Sequence, residues 1–469
     1  MDYSTAQPKE FPYRIRPHGL SITLTKKPSI TAQSAKQAPR TIVAAYYLIP
    51  GDGDPIPEGA LVVEGKTIVW LGKRADIPDK YVNEPHKLHA VPYLMPGLWD
   101  CHVHFGGVSE TDDDMSRAAA LTQDGVSTGA RLAKHCWEGL QRGYTSMRDV
   151  AGYGCEVAKA IQDGTIVGPN VYSAGAALSQ LAGHGDEFSM PAGDVISSLG
   201  VSKISPGNWG TSMLCICDGP IECRRAVRVQ IRRGAKCIKI LASGGVLSTD
   251  DNPEYAQFSP EELDAIIDEA TRFERTVAAH VHGKAGIIAA VKAGVTSVEH
   301  VSIADEECIK LIKEKGTIYV ATRTIIDAIL QSNGEGLPAK SWEKAKYINK
   351  THMAAYKMAV KAGVTCALGT DLAPNSNLAK ELEFAVEAGM TNREAIKAAT
   401  ANGPLTVKGQ VGKSGQLKVG YEADMIGVFD DPLVDVRTLQ KKDNIAWVWK
   451  GGKLYKGPGV GPWGEEETS

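Results

Sequence analysis

The stretch Leu94-Met95-Pro96-Gly97-Leu98-Trp99-Asp100-Cys101-His102-Val103-His104 combines an apolar run, a Pro-Gly break and two closely spaced histidines. Side chains alternate along a strand, so His102 and His104 share one face. At the end of a barrel strand that face is turned toward the lumen, where a divalent metal can bind both rings. The motif alone is a weak signal, because two surface or core histidines explain it equally well.

Four later segments place further metal-compatible side chains after short apolar or β-branched runs. These side chains are Lys239 in 237–245, His280 and His282 in 276–283, His300 in 295–300, and Asp371 in 364–371. Strand-then-helix alternation between about residues 92 and 402 indicates parallel βαβ units. In such a fold the chemistry lies at the C-terminal ends of the strands, which is where these side chains are predicted.

A His-x-His motif followed in order by Lys, His, His and Asp resembles the amidohydrolase superfamily. Longer stretches resemble the fungal amidases of that superfamily that hydrolyse ochratoxin A: 95–102, 151–161, 164–173, 279–287 and 449–453. The resemblance runs from about residue 40 to the C-terminus, and 108–128 looks divergent. It implies an α/β fold, a (β/α)8 TIM barrel with a small β-sandwich built from the N- and C-terminal segments.

The chain is accordingly predicted to have four parts: a polar leader at 1–39, the first part of the sandwich at 40–91, the barrel at 92–402, and the rest of the sandwich with a C-terminal tail at 403–469. Hairpin signals occur at both ends, so strands from the two ends are expected to meet. Within the barrel, Ser259 before Pro260 predicts a helix start, and Thr391 with Glu394 predicts a capping box.

The resemblance implies that His102, His104 and Asp371 bind one metal, that His280 and His300 bind another, and that N6-carboxylated Lys239 bridges the two. A lysine in an apolar strand is costly as an ammonium, so burial favours the neutral amine, which can capture carbon dioxide. The alternative is a lysine paired with a buried acid. Zinc is the expected metal for both positions, although manganese, iron or cobalt would suit the same donors.

Three residues are predicted to act in catalysis. Asp371 can take a proton from a metal-activated water and return it to the leaving nitrogen. His184, in a glycine-flanked loop, can polarise a carbonyl or stabilise an oxyanion. His282 shares the strand face of His280, and alternation alone does not decide which of them binds metal. The resemblance favours His280, leaving His282 as a catalytic or substrate-contacting residue, or merely as a packed histidine.

The substrate implied by the resemblance is ochratoxin A or a similar N-acyl aromatic amino acid, cleaved at its amide into ochratoxin alpha and phenylalanine. Arg323, at the end of a predicted strand, is a candidate contact for the substrate carboxylate, and Ser243 is a further candidate contact. A prolidase- or carboxypeptidase-type dipeptidase would share every metal ligand. A single-metal deaminase is disfavoured by Lys239, and a non-catalytic scaffold is disfavoured by the retention of all six ligands.

Composition excludes other classes of partner. The net charge of −3, from 52 basic and 55 acidic residues, gives no case for nucleic acid or a charged membrane surface. No apolar run resembles a signal peptide or a membrane span, so a cytoplasmic location is the default expectation, with secretion by a less usual route left open. The nine cysteines show no paired framework, and reduced thiols are expected. The resemblance implies a homo-octamer.

Overall fold

The break at Gly97 separates two strands that belong to different sheets. The computed structural model describes residues 40–107, 124–204 and 213–465, so the predicted leader and the last four residues of the predicted tail lie outside the described residues. A Cβ atom at Gly97 would lie 2.1 Å from Oγ1 of Thr145, and this close approach therefore requires glycine. The chain changes sheets here, beyond the 91/92 boundary predicted for the domains.

Seventeen strands occur in the described part of the chain. In order they are β1 Arg40–Leu48, β2 Ile56–Pro57, β3 Gly59–Glu64, β4 Thr67–Lys73, β5 Lys87–Pro96, β6 Leu98–Val103, β7 Tyr144–Asp149, β8 Asn170–Ser173, β9 Ala177–Ser179, β10 Leu214–Ile216, β11 Cys237–Leu241, β12 Thr276–Gly283, β13 Ser297–Ile303, β14 Ile318–Val320, β15 Met425–Val428, β16 Ile445–Lys450 and β17 Lys453–Lys456.

Strands from the two ends of the chain meet in one mixed sheet, as the hairpin signals predict. Its order is β17-β16-β15-β5-β1-β3-β4, with β2 paired to β1. The junction is the antiparallel pairing of β15 with β5, in which Met425 faces Pro96 and Val428 faces Tyr93. The described strands at both ends thus share one sheet, and the two-layered sandwich stays a prediction.

The middle of the chain forms two parallel sheets. One has the order β10-β9-β11-β12-β13-β14 and the other the order β6-β7-β8. The segment 365–368 lies between their edges, because Tyr319 N donates to Thr365 O at 2.9 Å and Cys101 N donates to Leu368 O at 2.8 Å. The protein is therefore a mixed α/β fold with parallel sheets.

Helices follow most of the parallel strands. The described helices are α1 Asp79–Val82, α2 Gly125–Gln141, α3 Gly154–Gln162, α4 Ala192–Leu199, α5 Gly219–Arg233, α6 Pro260–Arg272, α7 Lys284–Ala293, α8 Glu306–Lys315, α9 Arg323–Gln331, α10 Ala339–Lys361, α11 Lys380–Glu387 and α12 Asn392–Ala398. Both predicted starts are confirmed: Ser259 and Thr391 form capping boxes with Glu262 and Glu394.

Helix α6 shows how the helices pack on the strands. Leu263, Ile266 and Ala270 recur at helical spacing and are buried, so one face of the helix joins the core. Among the helices of the described part of the chain, none has the length and apolar character needed to cross a membrane.

Candidate metal centre

All six predicted metal ligands line one cavity of about 410 Å³. They lie on parallel strands or just after them: His102 on β6 and His104 after it, Lys239 on β11, His280 on β12, His300 on β13, and Asp371 after the segment 365–368. His184 and His282 line the same cavity. Tertiary structure thus brings together side chains separated by up to 269 residues of sequence, from His102 to Asp371.

His102, His104 and Asp371 form the tightest group. One ligand atom from each lies within 4.8 Å of the others. Nε2 of His104 is 2.9 Å and Nε2 of His102 is 3.5 Å from Oδ1 of Asp371. Two imidazole nitrogens and a carboxylate oxygen are donors that suit zinc, so this group fits one divalent cation.

The second group contains His280, His300 and Lys239. The ring of His280 lies 4.5 Å from that of His300, which in turn lies 4.9 Å from the ring of His102. Lys239 is 2 % exposed, and its Nζ has no hydrogen-bond partner among the described residues. Burial lowers the pKa of Lys239 to about 8. An orphaned, readily deprotonated amine fits a lysine that is carboxylated and bound to metal.

The ionisation of these groups also suits metal binding. Burial lowers the pKa of His280 and His300 well below the usual value, and neighbouring histidines lower each further. Burial alone would raise the pKa of Asp371, but contacts with His102 and His104 outweigh it and hold that pKa well below its usual range. Neutral rings at His280 and His300 and a charged carboxylate at Asp371 are the forms that bind metal.

Hydrogen bonds behind the rings fix how they face the cavity. Nδ1 of His102 donates to Oε2 of Glu299 at 2.8 Å, and Nδ1 of His104 donates to the carbonyl of Ala151 at 3.0 Å. In the neutral rings, Nε2 therefore carries the lone pair. Nδ1 of His300 lies 2.7 Å from Oγ1 of Thr322. Such contacts orient metal-binding histidines in proteins generally.

Three residues of this site have left-handed backbone conformations. The φ angles are 70° at His300, 53° at Thr322 and 62° at Asp371. A residue other than glycine in this region costs of the order of 1–3 kcal/mol, so the surrounding structure must hold it there. Strain of this kind is concentrated at functional sites. The side chains of all three residues line the cavity.

The sequence analysis missed a buried ion pair beneath His102. Nη2 of Arg148 lies 2.8 Å from Oε1 of Glu299, and neither side chain is exposed. Arg148 also donates to Oγ of Ser297 at 2.9 Å and to the carbonyl of Cys101 at 2.5 Å. The available signal was slight, because Arg148 and Glu299 lie in strand-like runs that also contain other polar residues. This pair makes Glu299 a fixed acceptor for His102.

The predicted substrate contacts lie in different surroundings. His282 is buried, lines the cavity, and has its Nδ1 3.0 Å from Oγ of Ser302. The described lining of the cavity does not include Ser243 or Arg323. Ser243 instead accepts a hydrogen bond from the backbone of His282 at 2.9 Å, and Arg323 donates to Oδ1 of Asn349 at 2.6 Å. Their roles toward the substrate stay predictions.

His352, which the sequence analysis did not select as a candidate, lines the cavity and is fully buried. Its Nε2 lies 2.8 Å from the carbonyl of Ala321. No pattern in the sequence distinguishes this histidine, because it lies in the middle of the long helix α10 and reaches the site only through packing.

A model of the amidohydrolase family matches residues 93–455. The chain belongs to the amidohydrolase family. It is similar to the ochratoxinase of Aspergillus niger, with 58 % identity over 467 residues, covering 99 % of this chain and 97 % of the relative. This amidohydrolase is accordingly a hydrolase acting on amide bonds.

Solved structures agree with this membership. The crystal structure of A. niger ochratoxinase matches with a TM-score of 0.89 and 60 % identity, covering 92 % of this chain and 99 % of that one. A Xaa-Pro dipeptidase with bound methionine in its active site matches with a TM-score of 0.79 and 28 % identity, covering 89 % and 100 %.

Glu381 of α11 binds the first turn of helix α9, which lines the cavity. Helix α9 begins without a side-chain cap of its own, and Glu381 accepts hydrogen bonds from Arg323 N at 3.0 Å, Thr324 N at 2.9 Å and Thr324 Oγ1 at 2.5 Å. Burial raises the pKa of Glu381 to about 7, although these donors oppose the shift. This carboxyl group therefore titrates in the physiological range while holding the first turn of α9.

We expect the stability conferred by Glu381 to depend on pH. The raised pKa means that folding favours the protonated form, so the contribution is fully present below pH 4.5 and is lost as pH rises through about 7. The free energy of unfolding of wild type relative to Glu381→Gln should fall by about 2 kcal/mol from pH 5 to pH 8. Urea unfolding at both pH values measures this free energy, with Glu383→Gln as control. If wild type and Glu381→Gln differ by the same free energy at pH 5 and pH 8, the prediction is wrong.

Proposed function

We propose that this amidohydrolase cleaves the amide of N-acyl aromatic amino acids, with ochratoxin A as the first substrate to test. The observation that carries the proposal is a cluster of apolar side chains, the apolar wall, which lines the same cavity as the candidate metal centre. The wall consists of Val246, Leu247, Ile325, Ile326 and Ile329. A substrate with two aromatic groups around an amide would place one of them on this wall while its carbonyl faces the histidines.

Residues of the apolar wall belong to helix α9 and to a buried hydrophobic cluster that packs against it. Ile325, Ile326 and Ile329 lie on α9, and Val246 packs with Ile326, Ile329, Ala345 and Ile348. Its shape is therefore set by the same packing that holds the helix. The close similarity to A. niger ochratoxinase supports the proposed substrate class.

The six candidate ligands would bind two cations in the way that the resemblance implies. His102, His104 and Asp371 would hold one divalent cation, His280 and His300 a second, with zinc as the proposed metal. Lys239 would bridge them as a carbamate, formed when its neutral amine attacks carbon dioxide and loses a proton. The chemistry supplied by cations held there is a water of lowered pKa and a polarised carbonyl.

Proton transfer and contact with the substrate are assigned to side chains of the protein. Asp371 is open to the cavity, with 22 % of its side chain exposed, so a carboxylate oxygen can take the proton of the attacking water and return it to the leaving nitrogen. His184 and His282 line the cavity and are proposed to contact the substrate around the scissile amide. The apolar wall excludes water from the rest of the substrate.

Release of phenylalanine from ochratoxin A tests the proposed function. We expect the purified protein to release phenylalanine and ochratoxin alpha, and we expect a chelator to stop the release until zinc is restored. N-acetylphenylalanine and N-acetylglycine serve as a matched pair that differs in the aromatic group. No release from ochratoxin A or either N-acyl amino acid by metal-loaded protein would contradict the proposal.

The apolar wall leads to a specific prediction. We expect Ile325→Ala to raise KM for ochratoxin A by about tenfold with a smaller change in kcat, because lost apolar contact weakens binding before the chemical step. Leu330→Ala on the same helix, whose residue is outside the described lining of the cavity, is the matched control. Steady-state kinetics measures both, and equal effects of the two variants would place the substrate elsewhere.

An Xaa-Pro dipeptidase is the second candidate, favoured by the structural match to such an enzyme. It would use the same metal ligands and differ in the occupant of the apolar wall. Release of proline from Met-Pro and Phe-Pro separates the two functions, since an ochratoxin-type amidase should hydrolyse these dipeptides far more slowly than N-acyl aromatic amino acids.

We also propose that the parallel strands close into the predicted (β/α)8 barrel, with β6 as its first strand and its end near residue 402. Hydrogen bonds from 365–368 to β14 and β6 support closure on that side. The sandwich at 40–91 and 403–469 and the homo-octamer rest on the resemblance, and light scattering would check the oligomeric state.

A further inference from the structure

The ring of His184 lies in a narrow slot at the edge of the cavity. On one side it stacks on His280, with ring centroids 4.3 Å apart and an angle of 23° between the planes. On the other side it lies against Gly245, where an added Cβ atom would come within 2.1 Å of Cε1. A side chain at Gly245 would therefore occupy the space of the ring.

A hydrogen-bonded pair behind the slot determines how the ring is turned. Nδ1 of His184 lies 2.8 Å from Oγ of Ser248 and 3.4 Å from Oδ2 of Asp251. The hydroxyl of Ser248 donates to Oδ1 of Asp251. A hydroxyl has a single hydrogen, so Oγ can only accept from His184, and Nδ1 must carry a proton. In the neutral ring Nε2 then carries the lone pair.

Asp251 is itself held by groups that leave it no freedom to move. Its side chain is 2 % exposed, Lys344 Nζ on α10 donates to Oδ1 at 2.7 Å, and Gly245 N donates to Oδ2 at 2.8 Å. Lys344 also donates to the carbonyls of Gly245 at 3.1 Å and Ser248 at 2.8 Å. One buried carboxylate thus joins Gly245 on one side of the slot, and Ser248 behind the ring, to helix α10.

We infer that Asp251 is a positioning residue for His184: together with Ser248 it holds the ring between His280 and Gly245 with the proton on Nδ1. The inference rests on the proposed function in one respect, that His184 contacts the substrate. The same loop supplies Val246 and Leu247 to the apolar wall, so Asp251 also couples the position of His184 to the surface that receives the substrate.

The first test compares Asp251→Asn with Asp250→Asn. Asp250 is the matched control, because it is the neighbouring residue and pairs with Lys340 on the exposed side of the loop. For Asp251→Asn we expect kcat to fall by about 10- to 100-fold, the range for lost orienting partners, with KM and metal content close to wild type. Asp250→Asn should stay within about twofold of wild type.

The second test uses the contact between Gly245 and the ring. Gly245→Ala should lower kcat to a similar extent, because its Cβ pushes the ring out of the slot. In the His184→Ala background the space is vacated, and both Gly245→Ala and Asp251→Asn should then have effects of less than about twofold. Such a double-mutant cycle separates action through His184 from general damage to the loop.

Crystal structures of Asp251→Asn and Gly245→Ala supply a readout that needs no activity. We expect the His184 ring to leave its stacked position on His280 in both variants and to keep it in Asp250→Asn. An unmoved ring, or an equal loss of kcat by Asp251→Asn with and without His184, would overturn the inference. If wild type hydrolyses none of the amide substrates, the proposed function fails, while the ring positions still decide the role of Asp251.

Discussion

Lys239→Ala is expected to lose more than about 100-fold in phenylalanine release, exceeding the loss typical for an outer-shell partner of a metal. The reason is that Lys239 is buried, lacks a hydrogen-bond partner among the described residues, and lines the same cavity as the other five candidate ligands. Removing it would take away the only proposed ligand shared by both cations. Metal content by mass spectrometry and kcat/KM measured on the same preparation check this prediction.

The control and a rescue experiment decide what Lys239 does. Lys236→Ala, three residues earlier and before β11, should keep both metal content and activity. Formate or acetate added to Lys239→Ala should restore part of the activity, because a small carboxylate offers the two oxygens of the missing carbamate. Full metal content with full activity in Lys239→Ala would contradict the proposed bridge. If Lys239 serves only as the partner of a buried acid, an added carboxylate should not restore the activity of Lys239→Ala.

Glu299→Gln is expected to lower the free energy of unfolding by about 3–5 kcal/mol, the cost of leaving a buried charge unpaired. Arg148 would lose its charged partner in a fully buried setting, where burial already opposes the charge of either group. The same change removes the carboxylate that accepts from Nδ1 of His102, so metal affinity should fall as well. Urea unfolding and metal titration measure the two effects.

A double variant separates these effects. Arg148→Met with Glu299→Leu removes both charges and should recover much of the lost stability, since apolar replacement of a buried pair is often nearly neutral. Metal affinity should stay low in the double variant, because His102 still lacks its acceptor. Recovery of both stability and metal affinity would show that Glu299 does not orient His102. To keep bound metal from masking the stability effect, unfolding is measured with and without chelator.

Local patterns in the sequence were sufficient for several features. The capping residues Ser259 and Thr391 predicted helix starts correctly, because a cap satisfies backbone donors within a few residues. The six candidate ligands were found because each follows an apolar run, and parallel strands bring their C-terminal ends to one edge. The prediction of helix starts depends on spacing within one helix. The prediction of candidate ligands depends on the repeated strand-to-helix connection, which makes successive strands parallel.

Features that depend on packing between distant elements could be read only from the structure. Arg148 and Glu299 are 151 residues apart, and His352 reaches the cavity from a helix whose pattern is ordinary. Arg323 lies outside the described lining of the cavity, and its predicted contact with the substrate stays a prediction. The direction of a side chain depends on the backbone conformation of its residue. His300 and Asp371 have left-handed conformations, which no pattern in the sequence predicted.

By itself, the sequence predicted which strands carry candidate metal ligands, where two helices are capped, and the family to which the chain belongs. The tertiary structure decided which acids orient the candidate ligands, which apolar side chains share their cavity, and where the chain changes sheets. The physical reason is that strand alternation and helix capping are local, whereas hydrogen-bond partners, burial and the resulting pKa values depend on which distant groups share the same desolvated space.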